Sequence, residues 1–98
     1  MIYVWRASWK PNLTREQMDG ALLRRAGWSY PEGVRQLGEY RLAGSDPAVV
    51  SIFEADSYEP IMEISLTWAD VFTIACEPAC TSEQGLAWGP AILERRPA

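Results

Sequence analysis

Apolar residues recur along the chain at two different spacings, which predicts a mixture of strands and helices. Runs of β-branched and aromatic residues, bounded by Pro, Gly, Asn or Asp, indicate four strands. Apolar residues three and four positions apart indicate two helices. The predicted strands cover residues 2–9, 34–41, 48–54 and 71–77.

Capping residues indicate where the two helices begin and end. Thr14 and Gln17 have the spacing of a capping box, and Gly27 is a natural stop for the helix that they begin. The second helix is predicted to start after Asp56 or Ser57, because either side chain can cap it. Each helix is therefore predicted to connect two strands.

The end of the chain is predicted to extend beyond the domain. Pro78 is expected to stop the fourth strand, since it cannot donate a backbone hydrogen bond. Thr81 again begins a capping box, which predicts a short helix that Gly89-Pro90 would interrupt. We divide the chain into a domain of residues 1–80 and a partly helical extension of residues 81–98, which docks on the domain or on a partner.

The order of the elements predicts the fold class. Strand, helix, strand, strand, helix, strand is the ferredoxin-like βαββαβ order, an α+β arrangement. Right-handed crossovers place both helices on one face of the antiparallel sheet and leave the other face bare. Both sets of alternating residues in the first and third strands are substantially apolar. Soluble monomers rarely expose an apolar surface of this size to solvent. We therefore expect a second subunit or the extension to cover the bare face, most simply in a two-fold homodimer.

Charge and composition remove several classes of function. The formal net charge of −4 argues against nucleic-acid binding. The absence of His excludes Ser-His-Asp and Cys-His catalysis and the usual proximal ligand of haem, and no cofactor or metal is expected. The first residues do not resemble a signal peptide, and no segment has the roughly 18 apolar residues of a membrane helix. No membrane partner is therefore expected, and the predicted location is the cytoplasm.

Aromatic side chains are the candidate walls of a ligand pocket. The chain has five Trp, four Tyr and two Phe residues, and ligand pockets are mostly apolar with a few placed polar groups. The candidate ligand-binding residues are Trp5, Arg6, Gln36, Tyr40, Ser51 and Trp68. They predict a small aromatic or apolar ligand; the alternative is that the rings only pack in the core and at a dimer contact. No catalytic residue is assigned.

Arg6 has three possible roles because it lies in mid-strand between apolar neighbours. It can form an ion pair with Glu39 or Glu54, since buried Arg is rarely unpaired. It can instead cover apolar surface with its stem, or hold the carboxylate of a ligand. The ion pair is the preferred interpretation.

Other polar residues have mainly structural interpretations. Arg24-Arg25 and Arg95-Arg96 are interpreted as solvated pairs. Cys76 and Cys80 are interpreted as one core thiol and one surface thiol, with a thiophilic metal site or a redox pair as the alternative. The acidic residues between 54 and 77 are interpreted as helix-start and solvated carboxylates.

Four groups of residues carry a resemblance to a known family. They are Trp9-Lys10-Pro11; Pro31-Glu32-Gly33-Val34 with Gly38-Glu39-Tyr40; Phe53-Glu54-Ala55-Asp56; and Trp68-Ala69-Asp70 with Glu77-Pro78. In order and spacing, over residues 1 to about 84, the chain resembles a bacterial domain-of-unknown-function family of the dimeric α/β-barrel superfamily. The resemblance implies a dimer with two sheets face to face, sometimes with a cavity between sheet and helices. It supplies no catalytic residues.

Three functions remain open at this point. The preferred one is a small homodimeric binding or interaction module without catalysis. The first alternative is a cofactor-independent small-molecule enzyme, monooxygenase-like or isomerase-like, which needs an ionisable group buried in a cavity. Arg6, Glu39 and Glu54 are the candidates for that group. The second alternative is a small-molecule sensor.

Overall fold

Four strands and three helices follow one another in the computed structural model, which describes residues 1–97. They are β1 (Ile2–Trp9), α1 (Arg15–Ala26), β2 (Val34–Arg41), β3 (Val49–Ala55), α2 (Glu59–Trp68), β4 (Phe72–Ala79) and α3 (Ser82–Arg95). Ala98, the last residue of the predicted extension, lies outside the described residues.

The four strands form one antiparallel sheet in the order β2-β3-β1-β4. This is the ferredoxin-like order, so the predicted α+β βαββαβ fold is confirmed. Trp5 in β1 lies opposite Ser51 of β3 and Cys76 of β4. Cross-strand partners share one face of a sheet, so this register determines which side chains face the helices.

The core lies between one face of the sheet and helices α1 and α2. Trp5 of β1 and Phe53 of β3 are buried there, in one cluster with Ala21 of α1 and with Ile61 and Trp68 of α2. Full burial of a large apolar side chain stabilises the fold by about 1.5–3 kcal/mol. These contacts hold both helices against the sheet and create the walls of the site described below.

No side chain caps helix α2, so the predicted cap at Asp56 or Ser57 is wrong. The helix starts at Glu59 after Tyr58, whose side chain makes no capping hydrogen bond. Pro60 in the first turn has no N–H group that needs a partner, and the carboxylate of Glu59 complements the positive end of the helix. These two residues reduce the need for a capping side chain.

Strand β4 continues through Pro78 to Ala79, so the prediction that Pro78 stops it is wrong. β4 is an edge strand that pairs only with β1. An edge strand tolerates proline because one side of it has no neighbouring strand to receive a hydrogen bond. Pro78 keeps its place in the register, opposite Tyr3.

Helix α3 is continuous over 14 residues, so the predicted interruption at Gly89-Pro90 is wrong. Pro90 removes one N–H group and leaves the carbonyl of Leu86 without its helical donor. Water can satisfy that carbonyl, because none of the residues of α3 is buried. The helix begins with the predicted capping box, in which Thr81 and Gln84 exchange hydrogen bonds of 3.0 and 2.9 Å.

The face of the sheet opposite α1 and α2 is the outer sheet face, defined here by Ile2, Val4, Tyr40, Val50, Ile52 and Ala75. Its four aliphatic β-branched side chains are only half-buried.

The described chain measures 54 × 29 × 19 Å, with a radius of gyration of 16.5 Å. A compact chain of this length has a radius of about 13 Å. Within residues 1–97, no helix combines the length and the apolar character needed to cross a membrane.

Candidate functional site

A pocket opens between the helix-facing side of the sheet and helices α1 and α2. The cavity itself has a volume of about 40 Å³, and the wider depression around it, counted together with open solvent, has about 480 Å³. Six of its lining side chains are aromatic: Trp5, Trp9, Trp28, Tyr30, Trp68 and Phe72. The remaining lining residues are Ala21, Leu22, Arg25, Glu39, Arg41, Val49, Ser51 and Ile64.

The aromatic walls pack on one another in tilted and edge-on pairs. The ring centre of Trp28 lies 5.7 Å from that of Trp68, at an interplanar angle of 80°. It lies 4.9 Å from the ring centre of Tyr30. Phe72 lies 4.5 Å from Trp9 by the same measure. Such pairs stabilise one another by about 0.5–1.5 kcal/mol beyond their burial, so the walls are held by mutual contact.

The residues Arg25 and Glu39 form a two-pronged ion pair at one end of the pocket. Arg25 Nη2 donates to Glu39 Oε1 over 2.9 Å, and Arg25 Nε donates to Oε2 over 3.0 Å. Arg25 Nη1 also donates to the carbonyl oxygen of Trp28 over 2.9 Å. Only 14% of the Glu39 side chain and 27% of the Arg25 side chain are exposed. The pair therefore ties the end of α1 to strand β2 across the pocket.

Tyr30 extends this network to the middle of the sheet. Its hydroxyl donates to Glu39 Oε1 over 2.6 Å. Its oxygen also lies 2.6 Å from the hydroxyl oxygen of Ser51. A phenol has one proton, and Tyr30 gives that proton to Glu39, so Ser51 is the donor in the second bond. Ser51 is buried, and its hydroxyl is thereby paired.

The network sets the charge state of its members. Burial alone would raise the pKa of Glu39, but hydrogen bonds from Arg25 and Tyr30 outweigh it and hold the pKa below its usual value. Burial, followed by the adjoining Glu39 carboxylate, raises the pKa of Tyr30 to about 12. The hydrogen bond to Glu39 is the main cause that raises the pKa of Arg25. At neutral pH the carboxylate is therefore ionised and the phenol keeps its proton.

Two further contacts hold Trp5 and Trp68, which line the pocket, in place. Trp5 Nε1 donates to the hydroxyl oxygen of Ser65 in α2 over 3.3 Å. The Arg24 guanidinium lies 4.5 Å from the ring centre of Trp68 and donates to Asp70 over 3.0 Å. The solvated interpretation is wrong for Arg25, which is half-buried and bonded to Glu39, whereas Arg24 is exposed and pairs with Asp70 at the surface.

The structure divides the six candidate ligand-binding residues into two groups. Trp5, Ser51 and Trp68 line the pocket together. The other three lie elsewhere: Arg6, Gln36 and Tyr40. Tyr40 is 60% exposed and lies opposite Val50 on the outer sheet face. Gln36 is exposed on the edge strand β2, beside a register shift.

Arg6 forms an ion pair, but its partner is neither of the two predicted carboxylates. Its guanidinium donates to the carboxylate of Glu77 on the neighbouring strand β4. The expected pairing with Glu39 or Glu54 is wrong, because Glu39 bonds to Arg25 and Glu54 accepts from Arg35 over 2.7 Å. Arg6 lies opposite Ala75, and Glu77 is two residues further along β4 on the same face of the sheet, within reach of a long side chain.

Arg25 donates hydrogen bonds to Glu39 and to the carbonyl oxygen of Trp28 in the site. It was not predicted as a site residue from the sequence. It lies in the last turn of α1, where basic residues are common for reasons of the helix dipole. The available signal was its spacing of four residues from Ala21, which places both side chains on one helix face. Glu39 was considered only as a partner of Arg6 and as a possible ionisable group, and its role beside Tyr30 depends on the sheet register.

The two thiols fit the structural interpretation. Cys76 is half-buried against the core, and Cys80 is exposed; both are free. Burial raises the pKa of the Cys76 thiol, and the charge of Glu77 adds to the effect. Among residues 1–97, no group of His, Cys, Asp and Glu side chains is arranged to hold a metal ion.

Comparison with known proteins gives one family match. Residues 1–92 match the model of a family described as a domain of unknown function, DUF3303. No curated protein and no solved structure matches the chain.

Proposed function

Since the chain belongs to the DUF3303 family, which is described as a domain of unknown function, we propose a function from the pocket itself. The domain is a binding module that holds a small, flat, largely apolar ligand with one anionic or hydrogen-bond-accepting group. The observation that carries the proposal is the aromatic pocket with the bonded Arg25–Glu39 pair at one end.

The walls fit a flat apolar molecule. The lining side chains are predominantly aromatic or aliphatic, as in most small-molecule sites. The rings of Trp28 and Trp68, which pack edge to edge, present surfaces on which a ligand ring can stack. The cavity of about 40 Å³ holds only a few water molecules. Wall side chains must therefore move apart to admit the ligand, and this rearrangement lowers the affinity.

The polar end fits an acceptor group on the ligand. Arg25 has five N–H donors, and three of its nitrogen atoms already donate to Glu39 or Trp28. The second hydrogen atom on each terminal nitrogen remains for a ligand oxygen. The charged lining residues are Arg25, Arg41 and Glu39, with a sum of one positive charge. A monoanion such as an aromatic carboxylate would neutralise that charge.

The charge states favour binding over acid–base catalysis. A general acid or base works best when its pKa lies near the operating pH. The pKa of Glu39 is lowered, and that of Tyr30 is raised to about 12. Both groups are therefore held in one protonation state at neutral pH and serve as fixed hydrogen-bonding groups.

A cofactor-independent enzyme is the second candidate, and Glu39 is the residue that supports it. Of the three candidate ionisable groups, Glu39 alone lines the pocket. A ligand that drew Arg25 away from this carboxylate would raise its pKa and free it to accept a proton. The present pairing of Glu39 with Arg25 and Tyr30 makes binding the preferred function.

The test is an NMR titration with 2-naphthoate and with its uncharged counterpart, 2-naphthamide. Four of the five tryptophans line the pocket, while Trp88 lies on α3. We expect saturable shifts of the four pocket indole N–H signals and no shift of Trp88. We also expect naphthoate to bind several-fold more tightly than naphthamide.

A matched pair of variants assigns the binding to the pocket. Arg41→Gln removes an exposed lining charge and should weaken naphthoate binding about two- to fivefold. Arg35→Gln removes an exposed Arg of the same strand that pairs with Glu54 outside the pocket, and should leave the affinity unchanged. Absence of saturable shifts with both ligands at millimolar concentration, in folded protein, would refute the proposed function.

A further inference from the structure

Two of the residues that line the pocket, Trp28 and Tyr30, lie on a loop, whereas all the others lie on helices or strands. The loop connects α1 to β2, and we name its residues 28–32 the lid. Helices and strands cannot move apart without loss of backbone hydrogen bonds. The lid is therefore the wall of the pocket that can move at the lowest cost.

The backbone of the lid makes few hydrogen bonds. Among the described residues 1–97, no N–H group of residues 29–33 donates to a backbone carbonyl. The backbone bonds lie at the two ends of the loop, from Trp28 to Arg25 over 3.2 Å and from Val34 to Pro31 over 3.3 Å. Local opening has a low free energy where the backbone is not tied into regular structure.

A glycine flanks the lid on each side. Gly27 ends α1, and Gly33 precedes β2 with a φ of 91°. That φ lies in the left-handed region, which a residue without a Cβ atom adopts and leaves at little steric cost. The two glycines can therefore absorb the change of backbone angles that a hinge requires.

Three hydrogen bonds to pocket residues hold the lid closed, and we name them the latch. The hydroxyl of Tyr30 donates to Glu39 over 2.6 Å and accepts from Ser51 over 2.6 Å. Arg25 Nη1 donates to the carbonyl oxygen of Trp28 over 2.9 Å. Two of the three bonds meet at the Tyr30 hydroxyl, so this group is the main closing contact.

The closed lid fills the space that a ligand needs. The cavity has about 40 Å³, whereas pockets for small organic ligands have about 300 Å³ or more. The ring centre of Trp28 lies 5.7 Å from that of Trp68, and the ring centre of Tyr30 lies 6.3 Å from that of Phe53. Outward movement of the two lid rings would add the volume that they occupy to the cavity and would uncover Trp68 for stacking.

We propose that residues 28–32 form a lid that closes the empty pocket through the hydroxyl of Tyr30, and that the ligand binds only after the lid has lifted. The structure is then that of the closed form. The apparent association constant equals that of the open form multiplied by the fraction of molecules that is open. This inference rests on the proposed function, since it concerns entry to the same pocket.

The first test removes the latch and measures binding rates. Tyr30→Phe keeps the ring and removes the hydroxyl, so a larger fraction of molecules is open. Stopped-flow tryptophan fluorescence with 2-naphthoate should show that the association rate constant and the affinity each rise about fivefold or more. The dissociation rate constant should stay the same. Tyr58→Phe removes the hydroxyl of an exposed tyrosine outside the pocket and should change neither rate constant.

A second latch variant, Ser51→Ala, applies if Tyr30→Phe does not fold. It removes one of the two hydrogen bonds at the Tyr30 hydroxyl and deletes only an oxygen atom from a buried site. The association rate constant and the affinity should rise in the same direction, by about two- to threefold.

Cleavage by chymotrypsin measures the opening of the lid without a ligand. The enzyme cuts after aromatic residues, and Pro31 protects the bond after Tyr30. The bond between Trp28 and Ser29 is then the aromatic cleavage site of the lid. Cleavage of a transiently opened segment follows the open fraction, so Tyr30→Phe should accelerate it about fivefold. Cleavage after Trp88, which is exposed on α3, should keep its rate.

The outcomes separate the lid from the ligand. Saturable binding with unchanged association rates in the folded latch variants, or unchanged cleavage after Trp28, would overturn the lid and leave the proposed ligand standing. A lower affinity through faster dissociation would overturn it as well, since Tyr30 would then hold the ligand itself. Absence of binding by the wild type and by the variants would refute the proposed function, and faster cleavage after Trp28 would still support the lid.

Discussion

Tyr30 donates its hydroxyl proton to Oε1 of Glu39 over 2.6 Å, inside a pocket whose other walls are largely aromatic. The hydroxyl oxygen of Tyr30 also accepts from buried Ser51, so one phenol connects the charged end of the pocket to the centre of the sheet. Arg25 holds the carboxylate from the other side. The polar groups of the site thus restrain one another before any ligand binds.

Removal of the Tyr30 hydroxyl should destabilise the fold. Tyr30→Phe takes one donor from an ionised carboxylate and leaves Ser51 without its acceptor, and such losses cost about 1–3 kcal/mol. The free energy of unfolding in urea measures the effect. Tyr58→Phe is the control, because Tyr58 is 66% exposed and should change stability by less than about 0.5 kcal/mol. Equal effects of the two substitutions would contradict the role of the network.

Tyr30 should also make the fold sensitive to high pH. Its pKa is raised from an unperturbed 10.0 to about 12. A raised pKa means that this stabilising contribution is complete below pH 10.0 and is lost as the pH rises towards about 12. Spectrophotometric titration of phenolate should show a late step that Tyr30→Phe removes. A titration curve identical in the variant would show that Tyr30 is not the late group.

The fold could be predicted from the sequence, because its signals are local. The alternation in β1, the capping box at Thr14 and the order of the elements depend on residues close together in the chain. The errors arose where a rule about proline was applied without knowledge of where the strand or helix lies in the fold. Pro78 remained in a strand because that strand is at an edge, and Pro90 remained in a helix because that helix is exposed.

The candidate site could be predicted only in part. Trp5 and Ser51 on adjacent strands and Trp68 on α2 were predicted because aromatic side chains with a few polar groups suggest a pocket, and all three line it. The Arg25–Glu39 pair joins residues on a helix and on an edge strand whose register contains a shift between Gln36 and Gly38. That shift decides which side of β2 carries Glu39, and a one-residue slip would turn the carboxylate to the outer sheet face. The isolated Gly38 inside the strand is a signal of such a shift, but it does not give the side on which Glu39 then lies.

The two thiols should react at different rates. Cys80 is exposed, whereas Cys76 is half-buried and its pKa is raised by burial. The thiolate is the reactive form, so Cys80 should be alkylated well before Cys76 at pH 8. Mass spectrometry after timed iodoacetamide treatment would follow both sites. Cys80→Ser should remove the fast phase, and a fast phase retained in that variant would contradict the assignment.

Glu39 should make stability depend on acid pH, with a sign that follows from its lowered pKa. In the unfolded chain the carboxyl has an ordinary pKa near 4.5. In the fold it stays ionised to lower pH, because Arg25 and Tyr30 donate to it. Its contribution is therefore present above the unfolded pKa and is lost as the pH falls through the folded value.

Glu39→Gln tests this contribution directly. At pH 7 the variant should be less stable than the wild type, because Arg25 loses its charged partner in a half-buried site. The difference should shrink as the pH falls below about 4.5, where the unfolded wild type takes up a proton. Urea unfolding at a series of pH values from 7 to 3 measures it, with Glu63→Gln on the exposed side of α2 as the control. A difference that stayed constant over this range would mean that the role of Glu39 is one of packing, and that its charge does not hold the end of the pocket.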